Sequence, residues 1–141
     1  MNTKNKTPIT VEASINAPIE KVWKCWTSPE DIMKWCNASD DWHAPKAEND
    51  LRTGGTFLTR MEAKDGSFGF DFEGKYTKVV PLQIIEYILE DGRTVKISFH
   101  REGNETRVIE TFDPENMNPA EMQKAGWQAI LNNFKAYTES L

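Results

Sequence analysis

Hydrophobic and polar residues alternate along Ile9-Thr10-Val11-Glu12-Ala13-Ser14-Ile15, the two-residue period of a half-buried strand. Pro18 stops that strand and opens a different rhythm. Ile19, Val22, Trp23 and Trp26 recur at helical spacing behind it, and proline suits the first helical position because the N–H it lacks would find no partner there. Ser28-Pro29-Glu30-Asp31 repeats the start with a hydroxyl cap, a proline at the first helical position and two acids at the positive end of the helix dipole, ahead of Ile32, Trp35 and Cys36. Two short helices in direct succession are predicted.

From about residue 42 to 112 the period returns to two. Phe57, Thr59 and Met61 alternate with Leu58, Arg60 and Glu62, and Phe70, Phe72, Gly74 and Tyr76 with Asp71, Glu73, Lys75 and Thr77. Ile85, Tyr87 and Leu89 alternate with Glu86, Ile88 and Glu90, Val95, Ile97 and Phe99 with Lys96, Ser98 and His100, and Val108 to Phe112 closes the series. Turn signals at Asp65-Gly66, Pro81, Asp91-Gly92 and Gly103-Asn104 separate these runs. Connections this short join antiparallel strands, since parallel neighbours need crossovers of about a dozen residues or more.

The last segment begins with Asn118-Pro119-Ala120-Glu121, which has the form of a capping box with proline at the first helical position. Met122, Gly126, Ile130, Phe134, Tyr137 and Leu141 then follow in steps of three or four, flanked by Trp127 and Leu131. A helix of about 20 residues, roughly 30 Å long, is predicted, and its apolar stripe needs the apolar face of the sheet as partner. Gly126 costs about 1 kcal/mol against alanine inside a helix, so a close backbone approach or space left for a ligand is expected there. The order of elements describes an α+β fold: a curved antiparallel sheet of about seven strands around a long C-terminal helix, with two short helices between the first two strands.

A length of 141 residues suits one domain, expected over residues 9–141 behind a flexible N-terminal extension of residues 1–8. Fifteen aromatics on periodic segments argue for a packed core, and a net charge of −5 with no basic block disfavours nucleic acid and anionic membranes as partners. No apolar run approaches the ~20 residues needed to span a bilayer, and the first residues lack the apolar stretch of a signal peptide, so a cytoplasmic location is expected. Cys25 and Cys36, without a Cys-x-x-Cys or a histidine cluster, read as reduced, packed thiols; neither a metal nor a cofactor is expected.

Ala17-Pro18-Ile19-Glu20-Lys21-Val22-Trp23, Thr27-Ser28-Pro29-Glu30, Trp35, Asp50-Leu51-Arg52-Thr53-Gly54-Gly55, the Asp65-Gly66 turn, Gly74, and Gly126-Trp127 with Leu131 form an ordered set of short motifs over about residues 9–141. This set resembles the bacterial proteins similar to the C-terminal domain of the activator of the heat-shock-protein ATPase, a family of the START and birch-pollen-allergen superfamily that also holds polyketide cyclases. The resemblance implies a helix-grip fold with a cavity between the sheet and the last helix. Function must still be argued from the site.

Candidate chemistry is sparse. His43 lies in Asp40-Asp41-Trp42-His43 between the second helix and the next strand and reads as a surface-loop histidine; His100 falls on the polar face of its strand. Glu110 faces the interior if Val108 and Phe112 do, where a carboxyl in an apolar cavity could serve as acid, base or ligand anchor; the other phase puts Ile109 inside and Glu110 in water. Gly54-Gly55 leads into a strand and not a helix, so it reads as a sharp strand entry and not a phosphate loop. Asp50 and Arg52 read as a structural ion pair.

The inward aromatic and aliphatic set is Phe57, Met61, Phe70, Phe72, Tyr76, Tyr87, Phe99, Trp127, Ile130 and Phe134. With Trp35, Glu110 and Gly126 these are the candidate ligand contacts for a small hydrophobic or amphipathic molecule held between sheet and helix, oriented by Tyr76, Tyr87 and Glu110. A second reading is a module for a chaperone or other protein partner, with an exposed apolar patch expected around Trp35 and Trp42. A third is a cyclase- or dehydratase-type enzyme, for which no constellation of acid and base is recognisable; a non-enzymatic binding role ranks ahead of it.

Overall fold

The computed structural model describes residues 7–141; residues 1–6 of the expected N-terminal extension lie outside the described residues. The elements run β1 (Ile9–Ile15), α1 (Ile19–Thr27), α2 (Pro29–Trp35), β2 (Trp42–Asn49), β3 (Thr56–Ala63), β4 (Gly69–Val80), β5 (Ile84–Leu89), β6 (Thr94–Glu102), β7 (Glu105–Phe112) and α3 (Ala120–Ser140). The sheet order is β1-β7-β6-β5-β4-β3-β2, antiparallel throughout. From β2 to β7 every strand pairs with its neighbour in the chain, and β1 closes on β7, so the sheet curls into a half-barrel around α3. This is the α+β helix-grip architecture, with the two short helices between the first two strands.

Each predicted turn lies between two strands, and Gly66, Gly92 and Gly103 adopt positive φ there. Gly55 is required by crowding: a Cβ would lie 2.1 Å from the Asp50 carbonyl oxygen. The strand entry at Gly54-Gly55 is pinned to β4, with the Gly54 N–H donating to the Tyr76 carbonyl (2.8 Å) and the Tyr76 N–H to the Gly55 carbonyl (2.9 Å). Asp50 and Arg52 pair beside it, Nε to Oδ1 at 3.0 Å.

The helix starts differ in detail from the sequence expectation. Pro18 and Pro119 occupy the N-cap, one residue earlier than expected, and their carbonyls accept the first helical hydrogen bonds. Ser28 is the N-cap of α2 as expected, but no cap side chain, Ser28 or otherwise, makes a capping bond at any of the three helices. The capping box at Asn118 is not formed; the Asn118 amide donates instead to Glu115 (2.8 Å). Gln123 organises this entry, accepting from the Glu115 N–H (2.9 Å) and donating to the Asn118 carbonyl (2.8 Å). An amide that both donates and accepts bridges the loop and the first turn, which a carboxylate cannot do.

The core lies between the sheet and the helices, with Val11, Ile15, Val22, Ile97, Val108, Phe112, Leu131 and Phe134 almost fully buried. Its aromatic centre is Trp26, Trp35 and Phe134, whose centroids are 4.8–4.9 Å apart. The Trp35 Nε1 donates to the Cys25 carbonyl (2.9 Å), which ties α2 to α1 and satisfies a buried indole. Trp35 is therefore buried, so the apolar patch expected around Trp35 and Trp42 does not include it. His43 stands on β2 and not in a loop, 3.8 Å from Glu62 on β3. Cys25 and Cys36 are free thiols.

The buried stripe of α3 departs in part from the expected one. Phe134 and the flanking Leu131 are buried as expected and Gln123 and Thr138 join them, whereas Met122 and Leu141 are each 60% exposed. The reason is the space that α3 leaves uncovered.

Candidate functional site

The backbone of α3 runs closest to β1, with the two short helices beside it. Between α3 and the remaining concave face lies a cavity of about 690 Å³, a size typical of small-molecule pockets, which span roughly 300–1,000 Å³. Met122, Gly126 and Ile130 face this space and not a filled core. A Cβ built on Gly126 meets nothing within 4 Å, so close backbone approach is not the reason for this glycine, which borders open space.

The walls are aromatic. Trp26 and Trp35 close one end, backed by Phe134. Phe57, Phe72, Tyr76 and Tyr87 cluster on the sheet, with the Phe57 ring 4.7 Å from that of Tyr87 and 5.3 Å from that of Tyr76. Trp127 reaches down from α3, stacks flat on Phe112 (3.9 Å, 9°) and meets Phe72 edge-on at 6.2 Å. Met61 lies beside Cys36, with the two sulfurs 3.8 Å apart. Phe70 stands at the rim, 42% exposed, near the still more exposed Met117 and Met122. Of the thirteen candidate residues, Phe99 and Phe134 do not reach the cavity: Phe99 packs against Trp23 and Trp26, and Phe134 is sealed behind the two tryptophans.

Glu110 is the polar feature of the cavity. Val108, Glu110 and Phe112 all point inward, which selects one of the two phases open to the sequence, and Glu110 is opposed across the sheet by buried Val11 and Ile97. It is 6% exposed, lines the cavity, and has no hydrogen-bond or ion-pair partner among the described residues. Burial pushes its carboxyl up to about 8, because an isolated carboxylate is poorly solvated in such surroundings. Cys36 is pushed up to about 12, by burial first and by Glu110 second. The Tyr87 hydroxyl, also without a partner among the described residues, is raised by the same two causes in the same order. Tyr76 is already engaged, donating to Asn49 Oδ1 at 2.6 Å, while the Asn49 amide donates to the Thr27 carbonyl (2.7 Å) and braces β2 against the end of α1.

His43, His100, Asp50 and Arg52 lie outside the cavity. Residues that the sequence reading did not single out do line it, among them Trp26, Cys36, Asn49, Thr59, Arg93 and Gln123. Trp26 and Thr59 carried a signal, since each shares a periodic face with residues that were named. Asn49 and Gln123 carried none: an amide at a strand end or a helix start reads as a surface residue until its partners are known. A second hollow of about 520 Å³ lies on the outer face of the sheet over Leu58, Glu73, Lys75 and Glu90; it contains no buried polar group.

Sheet, gripped helix and the aromatic-lined cavity between them together define a START-like, helix-grip protein. The chain belongs to the family of activator of Hsp90 ATPase homologue 1-like proteins, whose model matches residues 16–139. It is similar to an AHSA1-like protein of Aeromonas hydrophila at 45% identity, with a TM-score of 0.89 and 95% of this chain and 93% of that one covered. A Cytophaga hutchinsonii protein of known solution structure is 57% identical, with a TM-score of 0.83 and coverage of 94% and 92%. A Chromobacterium violaceum protein, 23% identical over 94% of this chain and 98% of that one, shares the fold at a TM-score of 0.84. No protein with a curated description matches the chain. Among the described residues no helix is long and apolar enough to cross a membrane, and no group of three or more His, Cys, Asp or Glu is placed to hold a metal ion.

Proposed function

We propose that the protein binds a small hydrophobic or amphipathic molecule in the cavity between the sheet and α3. The observation that carries this reading is the pairing of a 690 Å³ aromatic-lined space with a buried carboxyl that no protein group satisfies. Apolar walls that face water forgo the contacts a ligand could make with them, and a carboxyl low in such a cavity is poorly solvated as an ion. A ligand that fills the space and meets Glu110 removes both costs. Tyr87, and Glu110 below it, would orient the polar end, while the ring walls take the apolar body.

The test uses N-phenylnaphthylamine, a neutral fluorophore that brightens in apolar surroundings, together with the Gly126→Leu variant. Saturable enhancement at one probe per chain is expected, and Gly126→Leu, which extends a side chain into the cavity without touching the core, should abolish it. No enhancement with the native protein, or equal enhancement with the variant, would remove the cavity from consideration. Native mass spectra of the purified protein, compared with denaturing spectra, would then identify any molecule that co-purifies.

A second reading rests on the rim. Phe68 is 60% exposed, Phe70 42% and Met117 89%, with Trp42 packed against Phe68 and Phe70 at 5.9 and 6.2 Å. Such side chains suit a protein partner, and the family's name points to a chaperone ATPase. Stimulation of an Hsp90-type ATPase that is lost in Phe68→Ser, but kept in Gly126→Leu, would favour this second reading over the first.

A further inference from the structure

The acids of the cavity lining are not equivalent. Glu48 pairs with Lys46 (3.2 Å), Asp91 with Arg93, and Glu115 accepts from the Asn118 amide (2.8 Å), whereas the Glu110 carboxyl faces the cavity without a protein partner among the described residues. Arg93 is already committed, its Nε 2.7 Å from Asp91 Oδ2. Eight aromatic side chains stand in the wall, and a ring face open to the cavity presents the negative side of its quadrupole. We infer that the molecule bound in this cavity is a hydrophobic organic cation, a lipophilic amine whose ammonium group pairs with Glu110 while its apolar body lies against the aromatic wall. The inference rests on the cavity reading above and deepens it.

A bound anion would meet the Glu110 carboxyl and the negative faces of the rings, with Arg93 already held by Asp91. A neutral ligand would fill the space without using the attraction of the ring faces for a cation. An ammonium supplies three donors to a carboxyl that has no protein partner, and the rings around it offer cation–π contacts. Desolvating the ammonium is offset only if Glu110 is ionised in the complex, so binding must be coupled to a proton. The free protein holds Glu110 protonated at neutral pH, and the arriving ammonium displaces that proton to solvent: carboxylic acid becomes carboxylate, and the ammonium keeps its own protons.

The groups that face Glu110 leave this coupling to a single site. Cys36, at the end of α2, and Tyr87, on β5, are the ionisable neighbours that act on it electrostatically, and both stay neutral at pH 7 because burial raises them. The flanking strands β1 and β6 oppose it with Val11 and Ile97. From α3 the lining side chains are Met122, Gln123, Trp127 and Ile130, none of them ionisable.

Three probes share one skeleton and differ in the head group: phenylbutylamine, phenylbutanol and phenylbutanoate. Titration calorimetry on the native protein at neutral pH should rank the amine about tenfold or more above the alcohol, and the carboxylate last. The ratio of amine to alcohol affinity should fall about tenfold from pH 7 to pH 6, and close to one proton should be released per amine bound when buffers of different ionisation enthalpy are compared. Glu110→Gln should bring the amine-to-alcohol ratio near one and remove its pH dependence. Equal or stronger binding of the alcohol or the carboxylate overturns the inference while N-phenylnaphthylamine binding keeps the cavity reading standing. If neither the three probes nor N-phenylnaphthylamine bind, both fall together.

Discussion

Glu110 is the residue whose environment departs furthest from what its type prefers, and the departure has a thermodynamic signature. Its carboxyl sits at about 8 when folded and near 4.5 as an ordinary glutamate. Between those values the folded chain holds a proton that the unfolded chain has released, so stability falls as pH rises through that window, by up to an order of 4 kcal/mol. Below about pH 4.5 both states are protonated and the penalty is absent. Glu110→Gln keeps the shape and removes the titration. The variant should match the native protein near pH 5 and exceed its unfolding free energy by several kcal/mol near pH 9, read from urea transitions at each pH. An unchanged difference across that range would mean that the carboxyl is solvated. The inward phase of this residue is one of two that the sequence leaves open, because Val108 and Phe112 favour one face of the strand and Ile109 the other; the register with Ile97 and Val11 decides it.

At the scale of elements, most of the fold was written in local pattern. Strand periods, the four glycine or proline turns and the two proline-led helices follow from backbone sterics, and those are satisfied within a few residues of chain. What local pattern misplaced depends on distant partners. Of the expected stripe of α3, Met122, Gly126 and Ile130 face the cavity while Phe134 enters the core, and the packed edge takes in Gln123, Leu131 and Thr138 beside it. Hydrophobicity reports that a residue avoids water, not whether protein or ligand covers it. Two substitutions test this description of the helices. Gly126→Ala introduces a Cβ into open space and gains helix propensity, so it should raise stability by about 1 kcal/mol, a shift of roughly 3 °C in Tm. Tyr137 on α3 donates a very short hydrogen bond to Asp31, which also receives Lys24 at 3.0 Å, so one buried carboxylate joins all three helices. Tyr137→Phe should cost about 1–3 kcal/mol in urea unfolding, because it leaves a buried acceptor short of a donor.

Considered as a whole molecule, the protein spends its long helix on one side of a curled sheet and leaves the other side of that helix without a partner. The aromatic wall, the glycine facing open space and the unsatisfied acid all lie on that open side, brought together from β3, β4, β5, β7, α2 and α3. None of this convergence is visible in a single segment: periodicity gives each element its inward residues, and that eleven of the thirteen candidates line one cavity follows only from how the elements are brought together. A fold with such a reserve of unmade contacts should respond to occupancy as a unit. Ligand at about 100 times its Kd stabilises the folded state by roughly 2.7 kcal/mol, which for a chain of this size is on the order of 8 °C in Tm. Scanning calorimetry with N-phenylnaphthylamine near that ratio should show one transition moved upward as a single peak, and Gly126→Leu should show the same transition unmoved by the probe. A shift of equal size in the variant would place the binding on the outer surface, at the exposed rim of Phe68 and Met117 or the groove over Leu58 and Lys75. A shift confined to the native protein ties the stability of the whole fold to the space beneath its last helix.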